Sequence, residues 1–184
     1  MQDVQTSPTG QRYLVCEAFR TTAAAGNPKY AATARVKELR AGPLVVLVLG
    51  PDGRLGAAHE VTKPVKTENT YLGEAMAGQQ ELLVAEAREH PSSLGYLFTQ
   101  ASPDNTRFNA VYLVTDRTLL GKVISRNLGN LAFGGPEPVV TDRLNVANEA
   151  TRSYFYPAKL GYVLQVDFDA EAKRVELKLV KLNI

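Results

Sequence analysis

Two histidines, His59 and His90, are present, and neither sits in a pattern that does chemistry unaided. Glu60 follows His59 as in a zinc-binding helix, but Lys63 stands where that motif needs its second histidine. In a strand, moreover, adjacent side chains point to opposite faces and do not chelate together. His90 ends a segment of helical pattern, where the helix dipole favours a cation without any further role. Gly121-Lys122-Val123 has the lysine of a phosphate loop, yet Asp116 replaces its first glycine and Val123 its Ser or Thr. The chain has no Gly-x-Ser-x-Gly elbow, no Ser-x-x-Lys pair and no Gly-x-Gly-x-x-Gly turn. Asp167, Asp169 and Glu171 alternate around a turn as calcium ligands do, but Ala172 holds the place of the required glycine. Asp169 is therefore expected to support its own turn. No cofactor and no metal is expected. The enzyme reading that survives is a small hydrolase or isomerase built from dispersed groups, with His59, Glu60 and Asp104 as nominal candidates.

The more suggestive run is Arg152-Ser153-Tyr154-Phe155-Tyr156-Pro157-Ala158-Lys159-Leu160-Gly161-Tyr162. In an extended chain Tyr154 and Tyr156 share one face and Phe155 takes the other. Exposed tyrosines flanked by Arg152 and Lys159 can stack on a sugar, a base or a partner's side chains. Arg152, Tyr154, Tyr156 and Lys159 are thus the candidate binding residues of a non-catalytic binding or structural domain. Its expected partner is a protein or a carbohydrate. A formal charge of +2, with Lys and Arg scattered along the chain, argues against nucleic acid, which usually meets a concentrated basic face. A third reading is a homo-oligomer or a piece of a larger chain, with the apolar edge of a Leu44–Leu49 strand paired to a neighbour.

Two hairpins must help to position these groups. Pro43–Leu49 and Arg54–Val61 flank Gly50-Pro51-Asp52-Gly53, in which Pro sets φ, Asp bonds backbone and Gly accepts positive φ. Gly161–Phe168 and Arg174–Leu182 flank a second turn at 169–173. Further strands are expected at 12–20, Leu94–Gln100 and Arg107–Thr115, with a loop over 102–106 between the last two. Gly73–His90 reads as a helix, with Met76, Gln80, Leu83 and Ala87 on one stripe and Pro91 as its stop. Asp116 is placed to cap another, because Leu119, Leu120, Val123, Ile124, Leu128 and Leu131 recur at helical spacing. Residues 29–40 fit either a helix capped by Asn27 or a strand, and side-chain propensities favour the helix.

The expected fold is therefore α+β: a mainly antiparallel sheet of six or seven strands with hairpins, packed by one to three helices. No repeat or low-complexity linker divides the 184 residues, so a single domain over 12–184 behind a flexible arm at 1–11 is expected. Cys16 is the only cysteine, excluding an intrachain disulfide, and is expected as a buried inert thiol beside Leu14 and Ala18. No apolar run approaches the ~18 residues of a membrane-spanning helix. The polar start through Gly10 matches a mature exported chain, at the periplasm or cell surface, without its signal peptide; a cytoplasmic protein is the other reading.

Overall fold

The computed structural model describes residues 3–23, 35–61, 69–76, 95–117, 123–135, 138–140, 144–147, 152–169 and 172–182. All regular structure among them is β. In chain order the strands are β1 (Asp3–Thr6), β2 (Arg12–Ala23), β3 (Arg35–Leu49), β4 (Leu55–Val61), β5 (Asn69–Met76), β6 (Tyr96–Ala101) and β7 (Phe108–Arg117). They are followed by β8 (Val123–Phe133), β9 (Val139–Val140), β10 (Leu144–Ala147), β11 (Arg152–Pro157), β12 (Tyr162–Asp169) and β13 (Arg174–Lys181). The first sheet runs β1-β2-β3-β4, with β5 also on β3; the second runs β10-β8-β7-β6, with β9 on β8; the third runs β11-β12-β13. Every pairing is antiparallel.

Alternation explains the first sheet. Tyr13, Val15 and Glu17 of β2 face inward opposite Val48, Val46 and Leu44 of β3, while Arg12 and Ala18 are exposed. The first turn works as its residues dictate. Gly53 adopts a φ of 79° and donates its N–H to the Gly50 carbonyl at 2.9 Å, while the Asp52 carboxylate accepts from the Arg54 N–H at 3.0 Å. β3 is flanked by β2 on one side and β4 on the other. Leu44–Leu49 is therefore interior, and the expected edge for a neighbouring chain is not there. Asp3–Thr6, within the expected arm, forms β1 and pairs with β2.

The middle sheet lies between the other two. Phe108 through Val114 of β7 are all buried, so this strand has two inner faces. Phe108, Ala110, Tyr112 and Val114, with Leu131 and Phe133 of β8, pack on Tyr13, Val15, Leu44, Val46 and Val48 of the first sheet. The rings of Tyr13, Phe108 and Phe133 close the end of this core, with centroids 5.2 to 5.5 Å apart. Glu17 contributes a polar link, accepting the Tyr96 N–H on both carboxylate oxygens at 3.2 Å. Val111, Leu113 and Leu128 on the opposite face pack on Val163 and Leu182, with Phe155 and Val180 against them. Gly129 sits opposite Tyr112, whose ring lies across it; a Cβ there would stand 2.6 Å from the Tyr112 hydroxyl oxygen.

These observations overturn the α+β expectation: the described architecture is all-β, with no helix. Gly73–Met76, the start of the expected helix at 73–90, is the end of β5, held by pairing with Arg35–Ala41; residues 77–90 lie outside the described residues. The helix expected from Asp116 is also absent, because Asp116 and Arg117 finish β7 and Val123–Phe133 is β8. Of its six leucine, valine and isoleucine positions, Leu119 and Leu120 are not among the described residues. The 29–40 ambiguity resolves as strand over Arg35–Arg40, with 29–34 outside the described residues. Strand pairing overrides local helix propensity in each case, since the backbone groups turned toward the neighbouring strand find their partners there. Cys16 keeps the face expected for it beside Leu14, but is half-buried on the outside of the first sheet.

Candidate functional site

The aromatic run forms β11 and the turn that follows, and period-two alternation divides it as its spacing requires. Phe155 points inward to the second core, whereas Tyr154 and Tyr156 point out and are 44% and 50% exposed. Register extends that outer face across the sheet. Tyr154 stands beside Val166 and Val166 beside Leu177; Tyr156 stands beside Leu164 and Leu164 beside Leu179. Phe168 stands beside Val175, and Arg152 holds the register position opposite Phe168. Lys159 lies in the β11–β12 turn, with its ammonium 4.4 Å from the ring centroid of Tyr162, the first residue of the same outer row. The four sequence candidates thus belong to one sheet and its turn.

The sequence reading missed the rest of the face. Of ten large hydrophobic side chains exposed among the described residues, six lie here: Tyr154, Tyr156, Phe168, Val175, Leu177 and Leu179. Exposure is least on the central strand and greatest at β13: Leu164 and Val166 are half-buried between neighbours, while Leu177 at the edge is 66% exposed. The available signal was the alternation Val175-x-Leu177-x-Leu179 in register with Leu164-x-Val166-x-Phe168.

Beneath the face the sheet is held by polar groups. Asp167 is buried and accepts hydrogen bonds from Ser153 Oγ at 2.6 Å, Gln165 Nε2 at 2.7 Å and Lys178 Nζ at 2.9 Å. Burial pushes its pKa up, but these hydrogen bonds and the Lys178 charge more than offset that, and it lies below the usual carboxylate value. Lys178 also reaches Glu176 at 3.3 Å, and both carboxylates hold its pKa above the ordinary lysine value. A second network ties the sheet to its neighbour. Buried Gln100 of β6 donates from Nε2 to the Tyr162 carbonyl at 2.6 Å, and its Oε1 accepts the Gly161 N–H at 3.2 Å. Asn130 Nδ2 donates to Asn109 Oδ1 at 2.9 Å, and Asn109 Nδ2 reaches Gln100 Oε1 at 3.5 Å, so the chain of amides crosses β8, β7 and β6. The turn carrying Lys159 is thereby fixed from below.

The dispersed catalytic candidates are not brought together. His59 faces inward opposite Val46 at a cavity of about 220 Å³, whose walls include Tyr13, Val48, Phe133 and Pro138 but no carboxylate. Glu60 is exposed on the opposite face. Asp104 closes its own loop, accepting from Ser102 Oγ at 2.5 Å and Thr106 Oγ1 at 2.8 Å, which lowers its pKa to about 2. Asp169 accepts the Ala172 N–H at 2.9 Å, the turn-supporting role its position suggests. No group of three or more metal-ligating side chains occurs among the described residues. No described helix is long and apolar enough to cross a membrane.

Among the described residues, fold and face together define an all-β architecture of three antiparallel sheets with an exposed apolar face on the C-terminal sheet. Over residues 1–183 the chain matches the model of a family of unknown function (DUF6770), and it belongs to that family. No curated protein and no solved structure matches it.

Proposed function

We propose that this protein is a non-catalytic binding domain that docks a protein partner on the outer face of its third sheet. The observation that carries this is the row of six exposed large hydrophobics on one continuous sheet face. Monomeric proteins rarely leave contiguous apolar patches larger than a few hundred Å² in water, and larger ones mark interaction surfaces. The makeup of the face fits a protein better than a carbohydrate. Tyrosines at one side and aliphatic side chains at the other resemble an interface core, whereas a sugar needs many polar groups for its hydroxyls. Lys159 and Arg152 stand at its margin, where polar rims lie.

A photo-crosslinking residue at position 156, and another at the exposed Ala58 on the outside of the first sheet, test the reading in lysate of the source cells. A discrete adduct from position 156 alone, competed by unlabelled protein, is expected. Equal labelling from both positions, or none from either, overturns it.

A further inference from the structure

The far side of β13 is open: among the described residues no strand pairs along it. The Leu182 N–H donates to the Gly161 carbonyl at 2.8 Å, which makes these opposed residues a hydrogen-bonded pair. Bonded and non-bonded pairs alternate in an antiparallel ladder. Val180, Lys178, Glu176 and Arg174 therefore turn their backbone groups toward β12, and Val175, Leu177, Leu179 and Lys181 present theirs outward. The open edge and the exposed apolar side chains come from the same residues.

The order of side chains along this edge is self-complementary. We propose that β13 pairs antiparallel with β13 of a second copy of this chain, about a two-fold axis through Leu177, joining two third sheets into one. In that register Leu177 meets Leu177, Val175 meets Leu179, and Glu176 meets Lys178, the last two contacts each occurring twice. Opposite charges and apolar pairs directly across a ladder stabilise it, and like charges destabilise it. Moving the axis one residue sets Glu176 against Glu176 and Arg174 against Lys178, or Lys178 against Lys178. Moving it to Val175 pairs Arg174 with Glu176, but leaves only residues 174–176 of each strand in the ladder. The Leu177 axis keeps 174–180 paired, and its one like-charge opposition, Lys181 with Lys173, falls where Lys173 has left the strand with a φ of 48°. Moving the axis to Leu179 opposes no like charges, but it pairs no opposite ones and keeps only 177–181 in the ladder. Edge strands commonly carry charges that repel a second copy; here the two Glu176–Lys178 pairs and the longest ladder favour the Leu177 register. A two-fold axis also closes the assembly at two copies. This inference rests on the docking reading insofar as both use the third sheet, and it names the occupant of that sheet's edge.

An edge pairing alone buries less than the ~1,200 Å² of a stable interface, so the dimer is reversible, with Kd on the order of 10–100 µM. Sedimentation of the full chain across that range should show mass rising from 20.0 kDa toward twice that value. Glu176→Lys and Leu177→Lys alter exposed side chains, and each should raise Kd at least tenfold while far-UV circular dichroism is unchanged. Register is read by mild oxidation in a Cys16→Ser background. Leu177→Cys should crosslink to itself, since opposed bonded residues have Cα atoms ~5.5 Å apart. Val175→Cys should crosslink only when mixed with Leu179→Cys. A chain that stays monomeric throughout and gives no Leu177→Cys crosslink overturns the dimer, as does equal self-crosslinking at all three positions. Should the dimer fail while position 156 still labels another protein, the docking reading stands alone; should position 156 label nothing while Leu177→Cys crosslinks to itself, the dimer stands and the docking reading falls.

Discussion

The carboxylate of Asp167 holds the ammonium of Lys178 at 2.9 Å on the underside of the third sheet, directly behind the exposed face. Asp167 is buried and Lys178 is half-exposed, so the pair lies at the margin between core and water. Its attraction is stronger than that of an open surface pair, and the Ser153 and Gln165 hydrogen bonds saturate the buried carboxylate.

That pair makes stability depend on pH in a stated direction. A carboxylate whose folded pKa lies below its unfolded value contributes stability above the unfolded pKa and loses it as pH falls through the folded one. Asp104, with its pKa lowered to about 2, acts in the same sense. Thermal melts should hold steady from neutral pH down to ~4 and decline below it. Asp167→Asn should destabilise by ~1–3 kcal/mol at pH 7 and flatten the decline. An unchanged acid limb in that variant would show that other carboxylates govern it.

Gln100→Leu should detach the third sheet's turn from the middle sheet. It leaves the Gly161 N–H and the Asn109 amide without their partner in a buried setting, at ~1–3 kcal/mol for each unsatisfied group. Urea denaturation reads the loss. Hydrogen exchange should localise it, with Gly161 and Tyr162 exchanging faster than Val46.

Gly129→Ala should cost ~1–3 kcal/mol, because its Cβ would enter the Tyr112 ring and both strands are buried there. Gly56→Ala, whose nearest neighbour is the Val48 carbonyl at 3.6 Å, should stay within ~0.5 kcal/mol of wild type. Equal effects at the two sites in chemical denaturation would contradict the ring-over-glycine packing.

Tyr154→Ala with Tyr156→Ala should change stability by less than ~1.5 kcal/mol, since about half of each side chain is already in water. Labelling from a crosslinker at position 179 should nonetheless fall at least tenfold. Because β11 is two strands from the open edge, the dimer constant should be unaltered, separating the face from the edge.

Much of the strand content was legible because its causes are local. Pro51-Asp52-Gly53 builds its turn from its own dihedral preferences, and the apolar runs on either side of it read as strands. The split of Tyr154 and Tyr156 from Phe155 was legible for the same reason. Which face of Tyr13–Glu17 is buried was not legible: the buried side carries Glu17, and Cys16, expected inside, lies on the outer side. The expected helix over 116–131 misled because a strand buried on both faces imitates helical spacing. Leu128 and Leu131 are three apart, so they lie on opposite faces of β8, and each reaches a different core. Apolar residues three and four apart satisfy either geometry, and the choice falls to the partner strand.

By itself, then, the sequence determined the two clear hairpins, the facing of the candidate tyrosines and the absence of a familiar catalytic motif. Only the tertiary structure decided that the sheets stack in three layers, that Leu44–Leu49 is interior and that, among the described residues, β13 has an open edge. Whether a strand is central or peripheral depends on segments far away in the chain competing for its backbone groups, and no local pattern records the outcome. Leu47 and Leu177 are the same residue type, each on the outer face of its sheet; among the described residues the first is flanked by two strands and half-buried, the second by one and mostly in water.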